Sequence, residues 1–201
     1  MMKRAFDVGS VRRDRWVVAI LLIPPFIYGA AFGLMHVLGS SAGAPVFDVA
    51  RIVPLVVLFV ALAAGEEVGW TGYAFGAMQR RWGGLAASVV LAGPWWLGHL
   101  PSMAAIGATW ADMAWWVVGA VGLRIVMAWL YNRTGASLFA VIVFHALLNV
   151  SRVAIFPVVG AHYLTAYQAA ADVVIAGLAV AVVVSTRAGL GFAGRGGAGK
   201  V

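Results

Sequence analysis

Apolar runs of about 20 residues recur along almost the whole chain, and each is long enough to cross a bilayer's hydrocarbon core as a helix. No other sequence feature constrains the fold as strongly. Apolar residues make up 63% of the 201 residues and charged residues 10%, with a mean hydropathy of +0.96, which is outside the usual balance of soluble domains. The short alternating segments of membrane β-barrels are not seen. The sequence therefore predicts an all-α, polytopic membrane helical bundle.

The apolar runs predict about six transmembrane helices. A bend is expected in the second, at Gly69 or Gly72, and Pro101 is expected to end the third because proline cannot donate the next helical hydrogen bond. A loop is predicted after it, over residues 102–112. The predicted spans are residues 16–38, 51–79, 85–100, 113–131, 137–156 and 164–185.

Two polar tails flank the predicted membrane domain, which covers residues 16–185. Residues 1–15 form a short basic tail, and residues 186–201 are glycine-rich, basic and predicted to be disordered. Residues 42–44, Ala-Gly-Ala, resemble a signal-peptidase site. The apolar run before them is longer than a secretory signal, so we expect a retained first helix.

The basic residues predict the orientation of the chain. Six spans place both termini on one side, together with the turns at Arg80-Arg81 and Arg133, and that side collects eleven basic residues against only Arg51 opposite. Positive-inside bias then predicts that both termini lie in the cytoplasm. The expected location is a bacterial inner (plasma) membrane. The net charge of +7 is spread over loops and termini, so we expect membrane lipid and no nucleic acid as partner.

Two adjacent carboxylates, Glu66 and Glu67, lie inside the second apolar run. A charge at membrane depth costs about 2.5 to 3.5 kcal/mol, so an ionisable residue there marks a candidate functional site. His145 and Asn149 are four residues apart and share one helix face, and His99 lies in the third run. The chain has no cysteine, which excludes a thiol nucleophile and a disulfide.

These residue types point to hydrolysis by one of two routes. A buried glutamate beside a histidine is a general base that can activate water. A second histidine and an amide, His145 and Asn149, can stabilise an oxyanion. Alternatively Glu66, His99 and His145 could bind zinc with an open position. The cofactor is thus zinc or none.

Three stretches together resemble the CPBP family (CAAX protease and bacteriocin-processing, also called Abi), whose eukaryotic relatives are the Rce1-type CAAX prenyl endopeptidases. They occur in family order over about 84 residues, and agreement in order, spacing and membrane context is far more specific than any one motif. The stretches are EEVGWTGYAF (66–75), WWLGHLP (95–101) and TGASLFAVIVFHALLN (134–149).

The resemblance implies an intramembrane endopeptidase that cleaves a membrane-associated or lipidated, CAAX-like peptide or protein. It implies that Glu66 and His99 activate the water, that His145 and Asn149 hold the oxyanion, and that Glu67 is a supporting carboxylate. The family has been described both as metalloproteases and as glutamate-dependent enzymes without metal, and the sequence fits either.

One position departs from the family pattern, because Thr71 stands where the family has an arginine. Arg124 and Arg152 are the candidate charge partners that could replace it from other helices. The departure also favours an alternative function, a non-catalytic immunity or scaffold protein that keeps the fold. A proton-coupled transporter is a third possibility, disfavoured because no internal repeat is seen.

Structural readings of the same residues stay open. His99 could contact headgroups near its helix end, His145 and Asn149 could be polar contacts between helices, and the glutamates could form a structural ion pair with Arg124 or Arg152. The tryptophans, Trp95 and Trp116 among them, fit interfacial belts. His99 is expected nearer the outer surface than Glu66 and His145, so a shared site requires tilt or a helix break.

Overall fold

The computed structural model describes residues 14–39, 44–156 and 165–191, and within those ranges it contains helices and turns but no strand. Two helices run on into π-helical segments, in which each turn is wider than in an α-helix. The helices are α1 (Asp14–Val37), α2 (Val49–Glu67) with a π segment (Val68–Phe75), α3 (Gly76–Trp82), α4 (Gly84–Ala105), α5 (Trp110–Arg133), α6 (Leu138–Val150) with a π segment (Ser151–Ile155), and α7 (Thr165–Ser185).

Within the described residues, five helical stretches are long and apolar enough to cross a membrane, which confirms the all-α polytopic fold. Helix α4 has 22 residues and is long enough at about 1.5 Å per residue, but it is not among these five. The qualifying stretches are Trp16–Val37, Val49–Trp82, Trp110–Arg133, Leu138–Ile155 and Thr165–Ser185.

Helix α5 is the centre of the bundle and packs against α4 on one side and α7 on the other. The approach of α7 is close because α5 presents glycines there. A Cβ atom on Gly119 would lie 2.1 Å from Asp172 Oδ1, and one on Gly122 would lie 2.6 Å from Ile175 Cγ2. Glycine at these positions permits the close packing typical of membrane helices.

Helix α6 packs against α2, which lies at the edge of the bundle. Their contact is a small apolar cluster of Ala63 on α2 with Leu138, Ile142 and Ala146 on α6. The outer face of α2 exposes valine and leucine side chains, as expected for a lipid-facing surface. The acidic pair therefore lies on an edge helix, with its buried side turned toward α6.

The prediction that Pro101 ends the third span is wrong, since α4 continues to Ala105. Proline removes one backbone hydrogen bond, and side chains can satisfy the freed groups in a membrane helix. The predicted loop over residues 102–112 is correspondingly short, because Thr109 and Asp112 form a capping box that starts α5 at Trp110.

Part of the predicted disordered tail packs onto the bundle, so the prediction is wrong for residues 186–191. Leu190 is fully buried, and its carbonyl accepts a hydrogen bond from Asn132 Nδ2 at 3.1 Å. Burial of this leucine holds the turn that follows α7. The rest of that tail, residues 192–201, lies outside the described residues, as do 1–13 of the basic tail, 40–43 and 157–164.

Candidate active site

Glu67 is fully enclosed by partners from three helices. Arg124 on α5 makes a two-pronged ion pair with it, with Nη2 2.5 Å from Oε1 and Nη1 3.2 Å from Oε2. His145 on α6 places Nδ1 3.0 Å from Oε1, and the Thr71 hydroxyl donates to Oε2. Every carboxylate oxygen is therefore occupied, and charge neutralisation permits an ionised acid to be buried.

Thr71 belongs to the π segment that follows α2, one turn after Glu67. Its hydroxyl also accepts a hydrogen bond from Arg124 Nη1 at 3.4 Å. Threonine here thus joins the same carboxylate to a guanidinium that comes from another helix. The π segment lies where the sequence predicted a bend, and π segments recur at functional sites.

Glu66 points into a different environment from its neighbour, and 36% of its side chain is exposed. Trp95 on α4 donates its indole N–H to Oε2 at 3.0 Å, and His99 Nε2 lies 4.0 Å from the same oxygen. Among the described residues it forms no ion pair with an arginine or lysine. This carboxylate is reachable by water and is held on one oxygen only.

The tautomer of His99 follows from its partners. Its Nδ1 lies 2.8 Å from the Trp95 carbonyl, which can only accept, so Nδ1 carries a proton. Nε2 then faces Glu66 and can accept or donate a proton. By the same reasoning His145 donates from Nδ1 to the carboxylate of Glu67.

Trp95 is the aromatic centre of the site and is only 3% exposed. Its ring centroid lies 4.8 Å from that of His99 and 5.9 Å from that of His145, and Arg124 Cζ lies 4.5 Å over its face. Trp116 packs against Trp95 and His99 at 5.5 and 5.0 Å. Placing Trp95 in an interfacial belt was wrong. Its four-residue spacing from His99 was the signal for a shared site.

The structure brings Glu66, Glu67, His99, His145 and Arg124 together, while the remaining predicted residues are less engaged. Asn149 lies one turn beyond His145 and is half-buried, and none of the hydrogen bonds among the described residues involves it. Arg152 makes no ion pair with either glutamate in the described part of the chain.

Asp172 is a buried acid that the sequence reading missed. It lies on α7, fully buried, and receives a hydrogen bond on Oδ1 from Gln168 at 2.8 Å, while Oδ2 has no hydrogen-bond partner among the described residues. The signal was present, because a lone aspartate in a long apolar run is as exceptional as the glutamate pair.

The donor atoms do not fit a zinc ion as they stand. One ligand atom from each of Glu66, Glu67 and His145 lies within 4.8 Å of the others, but Glu67 already binds Arg124, Thr71 and His145. In the predicted set of Glu66, His99 and His145, the first two donors are 4.0 Å apart. With zinc–ligand distances of about 2.0 to 2.1 Å, an ion between them would be nearly linear rather than tetrahedral.

Comparison with known proteins identifies the family to which this chain belongs. Residues 47–151 match the family described as type II CAAX prenyl endopeptidase Rce1-like. The chain belongs to the Rce1-like family. The matched region contains both glutamates, His99, Arg124, His145 and Asn149, and ends just before Arg152.

A curated relative of the Rce1-like chain is CAAX prenyl protease 2 of the archaeon Methanococcus maripaludis. The two are 26% identical over 168 residues, which is 75% of this chain and 60% of the relative. The chain thus spans less than two thirds of the relative's length. Family membership and the membrane-crossing helices together make this an integral membrane protein.

Proposed function

We propose that this Rce1-like chain is an intramembrane endopeptidase that hydrolyses a peptide bond in a membrane-associated or lipidated, CAAX-like substrate. The observation that carries the proposal is the difference in environment between the adjacent residues Glu66 and Glu67. Glu67 is buried and fully paired, whereas Glu66 is accessible and faces His99. An accessible carboxylate beside an imidazole, as in Glu66 with His99, can take a proton from water. A buried and fully paired carboxylate, as in Glu67, can hold His145 in one orientation.

In the proposed reaction Glu66 removes one proton from water as the oxygen attacks the peptide carbonyl carbon. The carbonyl oxygen becomes an oxyanion, toward which the Asn149 amide and Nε2–H of a doubly protonated His145 donate hydrogen bonds. Collapse of the intermediate breaks the C–N bond, and the proton returns from Glu66 or His99 to the leaving amine. Glu67 holds His145 through Nδ1, and no step requires a metal.

Activity against lipidated peptides tests the proposal. Purified protein in lipid nanodiscs is incubated with farnesylated, geranylgeranylated and unlipidated peptides ending in CAAX sequences, and the products are identified by mass spectrometry. Replacing Glu66 by Gln is expected to slow cleavage about 10²- to 10⁴-fold, the usual contribution of a general base. Asp48→Asn is the matched acid-to-amide control, because Asp48 is exposed and asparagine also caps α2.

Zinc content is a separate test of the same proposal. Active protein purified without chelators is expected to contain far less than one zinc per chain, and activity is expected to survive 1,10-phenanthroline. Stoichiometric zinc whose removal abolishes cleavage would contradict the metal-free route while leaving the endopeptidase proposal in place.

Thr71 at the family's arginine position favours one second candidate, a non-catalytic membrane partner such as an immunity or scaffold protein. This candidate predicts that Glu66→Gln and His145→Ala variants still protect cells. Loss of both protection and cleavage in the same variants favours the protease. The orientation proposed with either function has both termini in the cytoplasm.

A further inference from the structure

We infer that Trp95 is a positioning residue that fixes the Glu66 carboxylate and keeps it apart from Arg124. The inference rests on the proposed function, because it concerns the group that activates water. Trp95 touches neither substrate nor water in this assignment. It acts through Glu66.

The indole N–H of Trp95 determines which oxygen of Glu66 is free. Trp95 Nε1 donates to Oε2 at 3.0 Å, and His99 Nε2 lies 4.0 Å from the same oxygen. Oε1 takes part in no hydrogen bond with the described residues. One oxygen is therefore anchored to a buried ring, and the other remains available to accept a proton from water.

The same ring holds the cation of the site on a different surface. An aromatic ring carries partial negative charge on its face and partial positive charge at its edge. Arg124 Cζ lies 4.5 Å over the face of Trp95, while the N–H edge binds Glu66. The face of the Trp95 ring thus holds the Arg124 cation, and its N–H edge holds the Glu66 carboxylate. Arg124 therefore pairs with Glu67 rather than with Glu66.

Burial makes this arrangement rigid. Trp95 is 3% exposed and packs against His99, His145 and Trp116. An anchored ring gives the carboxylate one orientation, and a general base acts efficiently only when it is held in that geometry. A phenylalanine at this position keeps the face for Arg124 but has no N–H for Glu66.

Steady-state kinetics of Trp95→Phe, measured on the farnesylated peptide that the wild type cleaves best, test the inference. We expect kcat to fall about 10- to 100-fold with KM within twofold of wild type, because the substrate's lipid and peptide contacts are untouched. Trp96→Phe is the matched control, since Trp96 also loses an indole hydrogen bond, but one to the Met113 carbonyl at 2.7 Å. Equal kcat in the two variants overturns the inference.

A second measurement keeps the inference separate from the proposed function and from any folding defect. In ¹⁵N-indole-labelled wild-type protein, the N–H resonance missing from Trp95→Phe is assigned to Trp95. Glu66→Gln is expected to shift this resonance more than those of the other eight of the nine tryptophans. An unshifted Trp95 resonance overturns the inference.

Two combined outcomes remain. If the wild type cleaves no peptide in the panel but the resonance shifts, the proposed function fails and the Trp95–Glu66 contact stands. If Trp95→Phe does not fold, the Trp95 resonance is assigned by elimination, as the one present in all eight single Trp→Phe variants at the other tryptophans, and Glu66→Gln decides by that resonance.

Discussion

Glu66 and Glu67 have the same chemistry but different surroundings, because consecutive residues on a helix point about 100° apart. Glu67 turns inward to Arg124 and His145, and Glu66 turns toward Trp95 and His99. A buried charge that loses its partner is strongly destabilised, while an accessible one is not. The two acids should therefore respond differently to substitution.

Arg124→Met is expected to destabilise the protein by about 3 to 5 kcal/mol, because it leaves the buried carboxylate of Glu67 without a cation. Thermal unfolding in detergent micelles measures the effect. The double variant Arg124→Met with Glu67→Gln is expected to unfold at a higher temperature than Arg124→Met alone, since no unpaired charge remains. Additive losses in the double variant would contradict the ion pair as the cause.

Thr71 and Arg124 meet at the same carboxylate, which makes the source of the cation exchangeable. Thr71→Arg alone is expected to destabilise, because two guanidinium groups would crowd a buried site. Combining it with Arg124→Ala, which removes one of them, is expected to recover stability and cleavage relative to either single variant. Thr71→Lys with Arg124→Ala is the control, because lysine lacks the two-pronged geometry.

At the scale of the helices, close packing of α5 on α7 positions the helix that carries Arg124. Gly119 on α5 abuts Asp172 on α7, with no room for a side chain. Trp116 lies one turn before Gly119 and next to the same contact, because a Cβ atom on Gly119 would also come within 3.3 Å of Trp116 Cδ1.

Gly119→Ala is expected to lower stability by about 1 to 3 kcal/mol, the usual cost of overpacking. Gly177→Ala on α7 is the control, because nothing lies within 4 Å of a Cβ there and alanine favours the helix. Unfolding temperatures of the two variants check this. A Gly119→Ala variant as stable as Gly177→Ala would show that the helices can separate at no cost.

At the scale of the whole molecule, the number of crossings fixes the positions of the termini. In the part of the chain that the structure describes, five stretches qualify as spans by length and apolarity, and α4 is not among them. If α4 also crosses, both termini lie on one side.

Cysteine labelling can test the topology directly, since the natural sequence has no cysteine. Cysteines introduced singly at Lys3 and Gly199 are expected to react with a membrane-impermeant maleimide only after cells are permeabilised. A cysteine at Asp48 is expected to react in intact cells. Opposite behaviour of the two termini would mean an odd number of crossings.

The membrane class, the helical fold and the candidate residues follow from the sequence itself. Apolar runs and isolated charges are local signals, and their energies in a bilayer are large. Where local signals were weak, prediction was less accurate: α4 continues through Pro101, and residues 186–191 pack onto the bundle because Leu190 is buried by distant helices.

Only the tertiary structure decided that Glu67 is the buried, ion-paired acid and that Glu66 is the accessible one. The choice between Arg124 and Arg152 as partner of Glu67, and the place of Trp95 beside Glu66, depend on how α2, α4, α5 and α6 pack. The sequence determined which polar groups must be buried in the membrane, because each one stands out as an ionisable or polar residue within an apolar run, where its burial is energetically costly. Helix packing determined how they pair, because a contact between residues far apart in the chain leaves no trace in local spacing.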